Sequence, residues 1–442
     1  MTMDLNMLTN HLNEFNPIRT YGQVTNVVGL IIEGLSPGAL VGARCDIYPS
    51  SGKKKIRAEV IGFKENRILM MPLENAIGIT PGSTIALRNY QDTIGVGNHL
   101  LGRVIDGLGR PIDNKGPIKY EKRYSIYKSP LNPLNRKRIT SPLDVGIKAI
   151  NGLLTLGKGQ KAGIFAGSGV GKSILLGMIT RNTHADINVI ALIGERGREV
   201  REFIEKELSE EALKKSVIVA VTSDHSPLLK LRGAFIATSI AEFFRDQGKD
   251  VLFMMDSLSR FAMAQREIGL AAGEPPTSKG YTPSIFNMLA RLLERTGTSE
   301  NSGSITGLYT ILVEGDDLTE PVADTTRSIL DGHIVLSREL ADKNLYPAID
   351  ILSSVSRVMN DIIDDEHKIV ARKIKQSIAM YRKIEDMLNI GVYQKGTDPH
   401  IDTTIELFDK INEFMYQDIA EKTTLKESID QMKHIISIVQ SV

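Results

Sequence analysis

Residues 166–173 read Ala-Gly-Ser-Gly-Val-Gly-Lys-Ser, a spacing suited to holding a triphosphate. Gly167, Gly169 and Gly171 let the backbone curl into a bowl whose N–H groups point inward at phosphate oxygens, with Ser168 and Val170 completing the arch. Lys172 adds a movable positive charge for the terminal phosphates, and the Ser173 hydroxyl is a ligand for Mg²⁺. The flanks fit: Ala162–Ala166 is an apolar run suited to a buried strand, and the chain from Ile174 opens a helix whose N-terminus faces the anion. Ala166 replaces the glycine that usually opens this pattern, which Ala tolerates if its φ stays negative. A glycine-rich turn of no chemical meaning is the bland reading, and Gly-Lys-Ser in a strand–helix frame outweighs it. The chain is expected to bind a nucleoside triphosphate.

Two further groups carry charge at the ends of apolar runs. Val251–Met255 ends at Asp256, the position from which an aspartate beside a phosphate loop holds the Mg²⁺ shell. Gly194-Glu-Arg-Gly-Arg-Glu199 follows the run Val189–Ile193. A carboxylate at a strand's C-terminal end faces the ligand crevice, so Glu195 can polarise a water while Arg196 and Arg198 neutralise charge. On composition alone, a solvated charged loop is an equal reading of that segment.

These residues need a scaffold, and 442 residues are too many for one core, so two or three domains are expected. Residues 1–20 carry Leu5, Leu8, Leu12 and Phe15 at helical spacing, a thin apolar stripe for packing or for a partner. Residues 21–90 read as short strands (Val24–Ile32, Val41–Tyr48, Ile56–Phe63, Arg67–Pro72, Thr84–Leu87) forming a small antiparallel barrel. Residues 91–360 alternate strands with helices, the mark of an α/β domain, with strands at Ala162–Ala166, Asn188–Ile193, Ser216–Val221, Val251–Met255 and Ser304–Leu312. Residues 361–442 are helical: Ile374, Ile378, Tyr381, Ile384 and Leu388 recur at steps of three and four, as do Ile401, Ile405, Phe408, Ile411 and Phe414.

Composition excludes some functions. Lys and Arg number 54 against 53 Asp and Glu, and the barrel is nearly without surface-type aromatics, so no nucleic-acid partner is expected. The single cysteine, Cys45, precludes an internal disulfide and lies in an apolar-alternating stretch as a packing residue. There is no apolar run of the ~20 residues needed to span a bilayer and no basic-then-apolar leader, so a cytoplasmic protein is expected.

Longer stretches resemble a known family. Pro347-Ala-Ile-Asp-Ile-Leu-Ser-Ser-Val-Ser-Arg357, Gly194–Glu199 and Asp256-Ser-Leu-Ser-Arg-Phe261 are similar to the hexameric ATPases related to the ATP synthase alpha and beta subunits. Gly273-Glu-Pro-Pro-Thr-Ser-Lys-Gly-Tyr-Thr-Pro-Ser284 and Asp331-Gly-His-Ile-Val-Leu-Ser-Arg338 look most like the type III protein-export ATPases, the flagellar branch ahead of the virulence branch. The resemblance implies an α/β fold: a RecA-like P-loop core, an N-terminal small β-barrel and a C-terminal helical domain. It implies that Glu195 activates water, that Arg196 and Arg260 contact the terminal phosphate, and that Ser173 and Asp256 hold Mg²⁺. It further implies that Tyr346 stacks on adenine and that Arg357 is an arginine finger serving a neighbouring subunit's ATP.

The same resemblance implies a homo-hexamer with a stator-like regulatory protein on the N-terminal helix and a coiled-coil stalk protein in the pore. Export gate membrane proteins, export substrates and their chaperones would meet the C-terminal domain, with the ring peripherally associated with the membrane export apparatus. Three rivals compete. A rotary catalytic subunit would carry an acidic Asp-Glu-Leu-Ser-Glu-Glu-Asp segment, absent here. A non-catalytic subunit would lack Glu195, and an RNA translocase would show a basic, aromatic barrel.

Overall fold

The computed structural model describes residues 21–440 apart from 51, 53, 89–91, 301, 302, 314, 316 and 395, so the helix expected within 1–20 lies outside the described residues. Six strands close into an antiparallel barrel in the order Tyr21–Val28, Ile31–Leu35, Arg67–Pro72, Ile56–Lys64, Arg44–Tyr48 and Thr84–Arg88. The stretch Val24–Ile32, read as one strand, is a hairpin: Gly29 takes φ 57° and turns the chain between Val28 and Ile31. Apolar residues on both sides of that turn concealed it. Val24, Ile32, Ile47, Val60, Met70 and Ile85 fill the barrel. Cys45 lies among them, its Sγ 3.5 Å from the Ala58 carbonyl oxygen, and burial pushes its thiol up to about 12.

Beyond the barrel a nine-stranded sheet carries the core. From one edge its strands run Ile349–Ser356, Gly332–Leu336, Lys161–Ala166, Ser304–Leu312, Asp250–Asp256, Ile187–Ile193, Ser216–Val221 and Arg103–Ile105, with the short Gly297–Thr298 pairing beside Ser304–Leu312. All the main strands are parallel except Ile349–Ser356, the antiparallel edge. Three of them were not anticipated: Arg103–Ile105, Gly332–Leu336 and Ile349–Ser356 are short or interrupted by polar residues.

The unbroken apolar runs follow from burial on both faces. Val189, Ala191 and Ile193 enter one core with the helix Pro227–Asp246, while Ile190 and Leu192 enter the other. That second core also takes Val370, Ile374, Ile378, Leu407, Ile411, Phe414 and Met432, so the C-terminal helices Asp365–Asn389, Pro399–Met415 and Leu425–Gln440 share it with the phosphate-loop strand. Tyr381 and Phe408, from the two expected periodic runs, stack at 3.5 Å. No helix among the described residues is long and apolar enough to cross a membrane.

One buried ion pair fixes the helix that supports the site strands. Arg295 donates to both Glu242 carboxylate oxygens at 2.9 and 2.7 Å, to Ser239 Oγ at 2.9 Å, and to the Ile126 carbonyl. Both side chains are fully buried. Removing one member strands the other charge out of water, at a cost of about 3–5 kcal/mol. Glu242→Ala should lower the unfolding free energy by that amount in urea denaturation, with Glu242→Gln milder. A loss within the ~0.5 kcal/mol typical of surface substitutions would contradict this.

Candidate active site

The phosphate loop forms because its strand stops in the middle of the sheet. Lys161–Ala166 has parallel neighbours on both sides, with Ala166 opposite Leu312 on one and Leu336 on the other. The chain leaves at Ala166, a strand residue outside the positive-φ set, so its Cβ is accommodated. Gly169 and Gly171 take φ 81° and 86°, conformations that side chains disfavour, and Gly171 caps the helix Lys172–Asn182. Val170 turns away into the second core and anchors the loop from beneath.

Gly167, Ser168, Gly169, Gly171, Lys172 and Ser173 line a cleft of about 700 Å³ together with Glu195, Arg196, Arg260 and Tyr346. Asp256 lies just below it, at the end of its strand. Its Oδ1 pairs with Lys172 Nζ and accepts from Thr310 Oγ1 at 2.7 Å. Lys172 Nζ is also 4.0 Å from Glu195 Oε1, so one ammonium lies between two carboxylates.

Glu195 follows Gly194, whose φ of 76° turns the chain at the strand end. A Cβ on Gly194 would fall 2.7 Å from Arg260 Cβ, so only glycine there lets Arg260 lie alongside. Glu195 Oε1 and Arg260 Nε are both buried without a hydrogen-bond partner. Burial, then the neighbouring Asp256 charge, lifts the Glu195 carboxyl to about 7 against the pull of Lys172. A carboxylate with that pKa and an unengaged oxygen can take a proton from a water in the cleft. Arg196 is exposed, 3.4 Å from Glu199, and Arg198 reaches no nearer than 3.9 Å to Glu202. Of the solvated-loop reading, Arg198 fits and Glu195 does not.

Tyr346 packs on the loop itself: a Cβ on Gly171 would be 3.2 Å from its ring. Beside it a second cavity, about 370 Å³, is lined by Ile174, Met178, Pro347, Tyr416 and Ile419. Gln417 N–H donates to the Tyr346 carbonyl at 2.9 Å and ties the C-terminal wall to the loop. Tyr416 and its neighbours were missed because the C-terminal region read as helical and the resemblance gave it only export partners. An exposed tyrosine just after a periodic helix was the available signal. Arg338, which also lines the main cleft, was missed as a site residue although it closes a quoted motif. Arg357 is not in this cleft. It is exposed at the end of the edge strand, with Nη2 3.4 Å from the Arg327 carbonyl.

Comparison with known proteins identifies the family. The model of the ATP synthase alpha/beta family nucleotide-binding domain matches residues 146–356, and that of the T3SS EscN ATPase C-terminal domain matches 363–434. The chain is 52% identical to the flagellum-specific ATP synthase of Bacillus subtilis (strain 168), over 93% of this chain and 94% of that one. The chain belongs to the ATP synthase alpha/beta family. Another family member, the flagellum-specific ATP synthase of Salmonella typhimurium, is 46% identical over 96% of this chain and 95% of its own. The assembled ATPase EscN of the enteropathogenic E. coli type III secretion system superposes with a TM-score of 0.89 at 45% identity, covering 94% of this chain and 100% of that one. The same ATPase with its central stalk EscO gives 0.86. A family member whose C-terminal helices match the EscN type is a type III export ATPase, and that reading holds over the rotary subunit.

The Glu195 environment has a kinetic signature. As an acid raised to about 7, Glu195 is protonated below that pH and cannot accept a proton, so kcat/KM for Mg-ATP should fall about tenfold per pH unit below 7. Glu195→Gln should keep ATP affinity, lose hydrolysis and show no such limb in its residual rate. A flat wild-type profile between pH 5.5 and 7.5, taken as a span about the pKa, would remove Glu195 from the reaction.

Proposed function

We propose that this chain is a Mg-ATP hydrolase that energises the export of flagellar proteins through a type III secretion apparatus. Its sites lie between subunits of a homo-hexameric ring. The observation that carries this reading is the partition of charges. The cleft of one chain holds the phosphate loop, Lys172, Glu195 and Arg260, whereas Arg357 stands exposed outside it. An exposed arginine at the end of an edge strand is available to an adjoining copy.

In this scheme the loop N–H groups and Lys172 bind the phosphates, and Tyr346 stacks on the base. Glu195 takes the proton of the attacking water, while Arg196 and Arg260 offset charge on the terminal phosphate. The donor set suits magnesium, which uses one or two carboxylates and otherwise substrate phosphates. Ser173 lines the cleft, Asp256 lies below it, and no group of three or more His, Cys, Asp or Glu gathers among the described residues. Ser173 and Asp256 would hold the ion, which neutralises phosphate charge when bound. The neighbour's Arg357 completes the site. An arginine supplied in trans is worth about 10³–10⁵ in rate, or about 4–7 kcal/mol of barrier.

The EscN structure solved with a central stalk supports a coiled-coil stalk protein in this ring's pore. The remaining partners belong to the same proposal: a stator-like protein at residues 1–20, and export gate, substrates and chaperones at the C-terminal helices. The ring would work in the cytoplasm against the membrane apparatus.

Arg357→Ala should leave single-subunit nucleotide affinity nearly intact yet abolish the rise of specific activity with protein concentration. Rate titrations across dilution decide it. Survival of the concentration dependence would show that Arg357 is no finger.

A further inference from the structure

One segment contacts the phosphate loop at two points. Gly332–Leu336 runs parallel to the loop's own strand with Leu336 opposite Ala166, so the chain leaving it emerges beside the loop. Arg338 follows, capped by Ser337 at the start of a short helix, and its Nη2 donates to the Ser168 carbonyl at 3.3 Å. Further on, Tyr346 lays its ring against Gly171. Ser337 N–H donates to the Ala348 carbonyl at 2.8 Å and joins the two ends of the segment. The first contact meets the crest of the bowl and the second meets its exit.

A backbone carbonyl at the crest of an anion bowl is a hazard. Turned inward it repels phosphate and removes an N–H from the convergent set. A guanidinium at the cleft wall can pin that oxygen in one orientation through a charge-assisted hydrogen bond. We propose that Arg338 is a positioning residue that holds the Ser168 carbonyl away from the bowl. The N–H groups of Gly167–Gly171 are thereby converged before nucleotide arrives. This rests on the nucleotide-binding reading above and adds a residue that reading does not use. Arg338 touches the loop and not Glu195, so its effect belongs to binding and is shared by any nucleotide whose phosphates enter the bowl.

The test compares full-length wild type, Arg338→Ala and Arg338→Lys for Mg-ATP and Mg-ADP affinity by calorimetry, alongside KM, kcat and the thermal midpoint. Arg338→Ala should weaken ATP and ADP binding by the same factor, about tenfold, the scale of one charge-assisted hydrogen bond. KM should rise with kcat within about twofold and the midpoint should not move, since the contact is at the surface. Arg338→Lys, which keeps a cationic donor, should recover most of the affinity. Unchanged affinities, a lysine variant no better than alanine, or an ATP-selective loss with lower kcat would each overturn the proposal; the last would make Arg338 a ligand of the terminal phosphate. Wild type that binds nucleotide without hydrolysing it would overturn the proposed function while leaving this comparison decisive. Wild type that binds neither nucleotide would overturn both.

Discussion

Parallel strand register is the constraint on which everything else in this molecule depends. Ala166 stands level with Leu312 and Leu336, and Leu192 with Asp256, because the strands are hydrogen-bonded in one fixed alignment. Side chains at or just beyond those positions, Asp256, Lys172, Glu195 and Arg338, therefore arrive at the same end of the strands. A slip of one residue in any strand would turn its apolar set to the opposite core. The two cores hold that register by burying alternate residues on opposite faces, so the precision of the site is inherited from packing well beneath it.

Electrostatics then separates the two acids by environment. Asp256 is engaged by Lys172 and by Thr310, which donates to it. Glu195 has the same ammonium only at 4.0 Å and an oxygen without a hydrogen bond, so burial dominates and its proton is held more tightly. Asp256 is committed to its two partners, whereas Glu195 is able to exchange a proton near neutrality. The difference comes from geometry around equivalent functional groups, and only the second suits a base.

Much of this was legible in the residues, for local reasons. Glycine spacing, Lys172 and Ser173 report a backbone shape that few other functions require, and an apolar run ending at Asp256 needs no tertiary information to stand out. Short apolar runs alternating with helical segments predicted five strands of the sheet nearly to the residue. What escaped depends on adjacency that distance along the chain conceals. Arg338 matters because its strand lies beside the loop strand, and Tyr416 because a C-terminal helix ends against Tyr346. The acidity of Glu195 is a property of its burial, which composition cannot express. The barrel hairpin at Gly29 was hidden by equal hydrophobicity on either side.

The central claim is that cleavage occurs at a seam to which two copies contribute, and mixing two inactive chains tests it directly. Glu195→Gln retains Arg357 and Arg357→Ala retains Glu195, so random assembly leaves roughly a quarter of the seams with both groups intact. An equimolar mixture should hydrolyse ATP at a clear fraction of the wild-type rate, far above either variant alone. A mixture no faster than the sum of its separate components would mean that each chain cleaves ATP unaided or that Arg357 serves elsewhere, and would contradict the shared site.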